Sequence, residues 1–178
     1  MPTSRLVLTL VGAAALMSAG CAGTRNATPA ATLQVTCTDA AWTAGGIPPS
    51  GRCRECGGDG LSPALAVRGV PAGTRWLEVR FVDVTAQGLG WPHHHGTLRV
   101  VVSGDGTASV PSVRERSTGL LPGVAIAANH GSGHKPKVGY LAPCACDGNN
   151  LYVVTVSATD GRRELARGRL ELGHCCLR

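Results

Sequence analysis

Apolar and polar residues alternate most cleanly over WLEVRFVDV (76–84), where Glu78 and Arg80 separate Leu77, Val79 and Phe81. A period of two puts every second side chain on one face, so this stretch predicts a half-buried β-strand. TLRVVVS (97–103) predicts another. LYVVTVSA (151–158) is β-branched and apolar on both faces, the pattern of a central strand. RELARGRLEL (163–172) fits a short helix and a strand equally well. Turn signals separate these runs, among them GGIPPSG (45–51), GVPAGT (69–74), LPG (121–123) and DGNN (147–150). Short strands, Gly/Pro turns and one or two short helices predict an all-β sandwich.

The first twenty residues follow a different pattern. Met1–Gly20 carries one basic residue, Arg5, then LVLTLVGAAALM and small residues, the make-up of a secretory signal peptide. Ser18-Ala19-Gly20-Cys21 resembles a lipoprotein cleavage site, with Ser18 where Leu is usual. Cys21 is therefore the expected lipidation site, and a membrane-anchored lipoprotein of the cell envelope the expected state. Ordinary signal cleavage, releasing a soluble secreted protein, is the alternative. Residues 21–31 are rich in Ala, Thr, Gly and Asn and predict a flexible tether, which leaves 32–178 as one domain.

Charge changes this picture little. The chain of 178 residues has a formal net charge of +6, and losing Arg5 with the leader leaves about +5, spread over several segments. Aromatic residues make up 3%, too few for a base-stacking platform, so no nucleic-acid partner is expected.

The eight cysteines of an exported chain point to disulfides. With Cys21 lipidated, Cys37, Cys53, Cys56, Cys144, Cys146, Cys175 and Cys176 remain as disulfide candidates. CREC (53–56) and CAC (144–146) also offer four thiolates to zinc, but CxC is a poor bite for that ion.

The candidate chemistry centres on GWPHHHGTLRV (90–100), read as a loop of three histidines leading into an apolar strand. Imidazoles with Asp83 offer ligands to zinc, copper or nickel. Consecutive side chains diverge, however, and no metal or other cofactor is expected. A His–Asp couple also needs a nucleophile. Ser62 and Ser103 lie in no nucleophile-elbow motif, so an enzyme is not expected. Anion or small-ligand binding through one histidine and Asp83 is the leading reading, and solvated loop histidines are the bland one. His130 and His134 are read as exposed loop residues and His174 as a tail residue.

The order of motifs supplies a resemblance. GDGLSPALAVRGVPAGTRWLEVRFVDV (58–84), GWPHHHGTLRV and GYLAPCACDGNNLYVVTVSATDG (139–161) resemble, in sequence order, the signatures of the phosphatidylethanolamine-binding protein family, the Raf-kinase-inhibitor-like group. The resemblance implies a Greek-key β-sandwich with a small pocket for an anion such as a phospholipid headgroup. It maps the pocket acid to Asp83 and the far wall to Gly139 and Tyr140. The Tyr of the family's H-x-Y element falls on Tyr152, and its histidine on Asn150. The pocket histidine falls on His93 by the W-x-H spacing and on His95 by counting back from the strand. A shift of one residue selects His94, and His95 is favoured. Asp83 beside an imidazole is expected to keep that ring charged. The family's D-P-D-x-P is here Asp83-Val84-Thr85-Ala86, and its G-P-C-P-P is Ala142-Pro143-Cys144-Ala145-Cys146. The overlay also implies pairing of Cys53 and Cys56 with Cys144 and Cys146, and of Cys37 with Cys175 or Cys176. A protein-interaction or inhibitor module with a vestigial pocket is the main competing function. A metal or redox protein using the histidines or cysteine pairs is another.

Overall fold

The computed structural model describes residues 31–43, 46–88, 93–104 and 106–175, without the side chains of 87 and 88. The leader, Cys21, the tether up to residue 30, Trp91 and Cys176 lie outside the described residues.

Two sheets make the architecture. The strands are β1 (Ala31–Thr32), β2 (Gln34–Cys37), β3 (Leu65–Val70), β4 (Trp76–Asp83), β5 (His94–Val101), β6 (Gly106–Val110), β7 (Val124–Ala128), β8 (Leu151–Thr159) and β9 (Glu164–His174). A five-residue helix, α1 (Val84–Gly88), follows β4 directly. The larger sheet runs β1-β9-β8-β4-β5-β7 and the smaller β2-β3-β6. Every pairing is antiparallel except the short β1 beside β9.

The inner faces of both sheets supply one core. Leu77, Val79 and Phe81 of β4, with Val154, Val156 and Ala158 of β8, pack in the same cluster as Leu65, Val67 and Val110 of the small sheet. Each of these Val, Leu and Phe side chains contributes about 1.5–3 kcal/mol by leaving water, and Ala158 less. The alternation read in WLEVRFVDV therefore corresponds to a real inner and outer face.

The structure decides one open reading and corrects others. RELARGRLEL is a strand, because Ala166 and Leu172 are buried and Gly168 backs onto Leu33, between β1 and β2, and Val35 of β2. Its helix-favouring Leu, Arg and Glu residues yield to tertiary packing. β8 is central by its pairing with both β4 and β9, but its outer face carries half-buried Thr155, Ser157 and Thr159. Val84 begins the helix rather than ending the strand. β5 begins at His94, so His94 and His95 belong to a strand rather than to a loop.

Two disulfides, Cys53–Cys144 and Cys56–Cys146, tie the loop before β3 to the loop before β8, as the overlay implied. The first closes a loop of 91 residues, which stabilises by about 4–5 kcal/mol in the chain-entropy account. Once it is closed, the second bond closes only short rings and adds less. The other expected bond does not form: Cys37 carries a free thiol, and burial pushes its pKa up.

Candidate functional site

The polar residues singled out by sequence converge where β4 ends and β5 and β8 begin. Asp83 is the last residue of β4 and stands opposite Tyr152 of β8 in the register. It also caps α1, accepting a hydrogen bond on Oδ1 from the backbone N–H of Ala86 (2.9 Å). Its Oδ2 accepts from Asn150 Nδ2 at 2.7 Å. The neutral Asn150 amide thus holds the Asp83 carboxylate as a donor. Asp83 itself is 3% exposed.

A bulge decides which histidine joins it. Arg80 pairs with Thr97 and Val82 with His94, so β5 spends one more residue than β4 between those pairs. Gly96 makes this possible with φ +101°, and a side chain there would run into the carbonyl of Gly139. The extra residue reverses the alternation before it. His95 turns inward and is buried, while His94 turns outward and lines the opposite face of the sheet. His93 precedes the strand, half-buried, and its carbonyl accepts from the N–H of Asp83. The triplet is thereby split among three environments.

His95 is fixed from both sides by Leu141. The Leu141 N–H donates to the His95 carbonyl at 2.9 Å. His95 Nδ1 lies 3.0 Å from the Leu141 carbonyl, which only accepts, so Nδ1 carries the hydrogen and Nε2 keeps its lone pair. The ring stands edge-on to Tyr152, with centroids 5.2 Å apart. Burial lowers the His95 pKa to about 4, outweighing the Leu141 hydrogen bond and the Asp83 charge, which both push it up. The expected charged ring is corrected here: desolvation wins, and His95 is neutral at pH 7.

The tyrosines close the cluster. Tyr152 accepts the N–H of Cys144 on its hydroxyl at 3.2 Å, which joins the disulfide loop to the site. Tyr140 packs its ring on Phe81 at 4.7 Å, and its buried hydroxyl has no hydrogen-bond partner among the described residues. Burial raises both phenol pKa values, so both stay protonated at pH 7. Gly139, buried beside Gly96, donates its N–H to the side chain of Asn129 at 2.8 Å. The cluster therefore combines one carboxylate, one neutral imidazole with a free lone pair, and one buried phenol hydroxyl lacking a partner.

The remaining candidates have other roles. His130 is corrected from an exposed loop residue to a buried one. Its Nε2 donates to the Pro136 carbonyl at 2.9 Å, its Nδ1 accepts from Ser132 Oγ at 3.0 Å, and burial lowers its pKa. His134 pairs with Glu55 at 2.6 Å, and Glu55 also pairs with Arg116 at 2.6 Å. His174 lies 3.0 Å from the Asn149 carbonyl. Ser62 Oγ accepts the Val113 N–H at 3.0 Å and serves structure. The CREC and CAC sulfurs are joined to each other and hold no thiolate for a metal.

Sequence reasoning missed Glu115. Its buried carboxylate accepts the N–H groups of Arg54 (3.0 Å) and Ala142 (3.4 Å), locking the two bridged loops together. No spacing in the sequence marks this contact.

No family model and no curated protein matches the chain. Solved structures do. Escherichia coli YbcL, described as a new member of the mammalian phosphatidylethanolamine-binding protein family, matches with TM-score 0.58 at 19% identity. The match covers 83% of this chain and 100% of that one. The chain has that fold. A phosphatidylethanolamine-binding protein homologue from Chlamydia trachomatis, CT736, matches with TM-score 0.57 at 20% identity over 83% of this chain and 99% of that one. At these identities the likeness concerns the fold. The architecture implied by SPAL, VPAGT and the GY loop is thus the observed one.

Proposed function

We propose that the chain is an exported, lipid-anchored binding protein of the phosphatidylethanolamine-binding family, not an enzyme. Its ligand is a small anion or a phospholipid headgroup, held at Asp83, His95 and Tyr152. One observation carries this reading: Asp83 faces Tyr152 in the register, and His95 stands edge-on to the same ring.

The neutral ring makes such binding proton-linked. An anion gains charge attraction from His95 only when Nε2 takes a proton, so anion and proton bind together. Affinity then rises as pH falls from 7, by up to about tenfold per unit, and levels off near the free-state pKa of about 4. Titrating purified protein with inorganic phosphate and with phosphoethanolamine at pH 7.5 and 5.5, while following the imidazole resonances, tests this. Expected are a His95 shift and tighter binding at pH 5.5. No shift at His93, His94 or His95 up to millimolar ligand at either pH overturns it.

A second reading rests on how closed the cluster is: Asp83, His95, Tyr140 and Tyr152 are each 3% exposed or less. In that reading the pocket is vestigial and the chain is a protein-interaction module. A partner retained in pull-down by Asp83→Ala favours it.

A further inference from the structure

The outer face of the larger sheet carries six arginines in an ordered array. A trough of about 880 Å³ runs over β9, β8, β4 and β5. Arg80, Arg99, Arg162, Arg163, Arg167 and Arg169 line it against two glutamates, Glu78 and Glu164. Both glutamates are already committed, Glu78 to Arg99 at 2.8 Å and Glu164 to Arg167 at 2.7 Å. Arg80 and Arg169 are exposed and make no ion pair among the described residues.

The register sets these two arginines in one row. Arg169 pairs with Thr155, Thr155 with Arg80, and Arg80 with Thr97. Strands lie about 4.8 Å apart, so the two arginine Cα atoms stand about 10 Å apart with a hydroxyl between them. Two guanidiniums on long stems reach that midpoint from both sides, where Thr155 offers a donor and an acceptor. The next row repeats the theme with Arg167, Ser157, Glu78 and Arg99.

We propose that this trough binds an acidic polysaccharide, with one acid group held by Arg80 and Arg169 across Thr155. Excess positive charge selects a polyanion. The alternation of arginine with Ser and Thr suits a chain that carries hydroxyls as well as acids, since both kinds of hydroxyl donate and accept. A bilayer is flat and meets a trough only at its rims. Single-stranded nucleic acid needs open aromatic faces. Among the described residues that line the trough, Trp76 is the one Phe, Tyr or Trp, and its ring is engaged by Arg75 and Arg99 at 5.3 and 4.7 Å. This site is separate from the Asp83 cluster, which faces the other side of the sheet.

The experiment is calorimetric titration of the full chain with polygalacturonate at low salt, with neutral dextran, polyglutamate and phosphatidylglycerol vesicles run in parallel. Arg80→Gln/Arg169→Gln should weaken polygalacturonate binding by about tenfold or more. The charge-matched pair Arg54→Gln/Arg68→Gln, exposed and outside the trough, should change it by less than about twofold. Asp83→Asn should leave it unchanged, which separates this result from failure at the Asp83 cluster. Equal loss in both arginine pairs, absence of polygalacturonate binding, or tighter binding of polyglutamate or vesicles through Arg80 and Arg169 overturns the proposal.

Discussion

On the inner side of β4, Asp83 is sealed from solvent with a protein donor on each oxygen, and the adjacent imidazole is neutral. Three residues earlier on the outer side, Arg80 stands in solvent with no carboxylate partner among the described residues. One strand thus presents polar groups in two regimes. Inside, each group is bound into a network that water does not reach, so its loss leaves an uncompensated partner and costs stability. Outside, charge is hydrated and screened, so its loss costs little stability but changes what the surface attracts. Substitutions on the inner side of the sheet should therefore cost stability, and those on the outer side should spare it.

The largest effect should come from the staples beneath the inner cluster. Cys53→Ser/Cys56→Ser removes both disulfides and should lower unfolding free energy by at least about 4–5 kcal/mol in denaturant titration. Next comes pH. His95 has a folded-state pKa of about 4 against an ordinary 6.5, so between those values the unfolded chain holds the extra proton. Stability from this group is full above about pH 6.5 and falls by about 3 kcal/mol as pH drops to 4, and His95→Gln should flatten that dependence. Asp83→Ala removes a helix cap and strands the Asn150 amide, at about 2–3 kcal/mol by thermal or chemical unfolding. Tyr140→Phe goes the other way: its hydroxyl lacks a partner, so the protein should hold its stability or gain about 1 kcal/mol. Smallest is the trough, where Arg80→Gln/Arg169→Gln should stay within about 0.5 kcal/mol. A large stability loss there would erase the contrast between the two faces.

The sequence made the sandwich legible where a strand has one wet face, as in WLEVRFVDV. Periodicity could not resolve RELARGRLEL, because Leu, Arg and Glu favour helices while Ala166 and Leu172 are held inward by the core. Family motifs pointed to Asp83 and Tyr152, which stand opposite each other in the register, while the Tyr140 ring packs on Phe81. Spacing alone could not choose among the histidines, since the bulge at Gly96 turns His95 inward and no local pattern announces it. The neutral state of His95 was equally hidden, because desolvation depends on the depth of burial and not on which residues are near. Asn150, where the resemblance puts a histidine, cannot carry charge but donates to Asp83. The trough had a signal that charge totals concealed: arginines at alternate positions, 167 and 169 in one run and 80 in another, fall on one face once both runs are strands.

The most direct measurement is an NMR titration of the histidine rings in the full chain, with and without phosphate. His95 should titrate near pH 4 when free, with Nδ1 carrying the hydrogen, and should move upward when phosphate binds. A free-state His95 that titrates at 6.5 or above, unaffected by phosphate, would contradict a desolvated, proton-linked site beside Asp83.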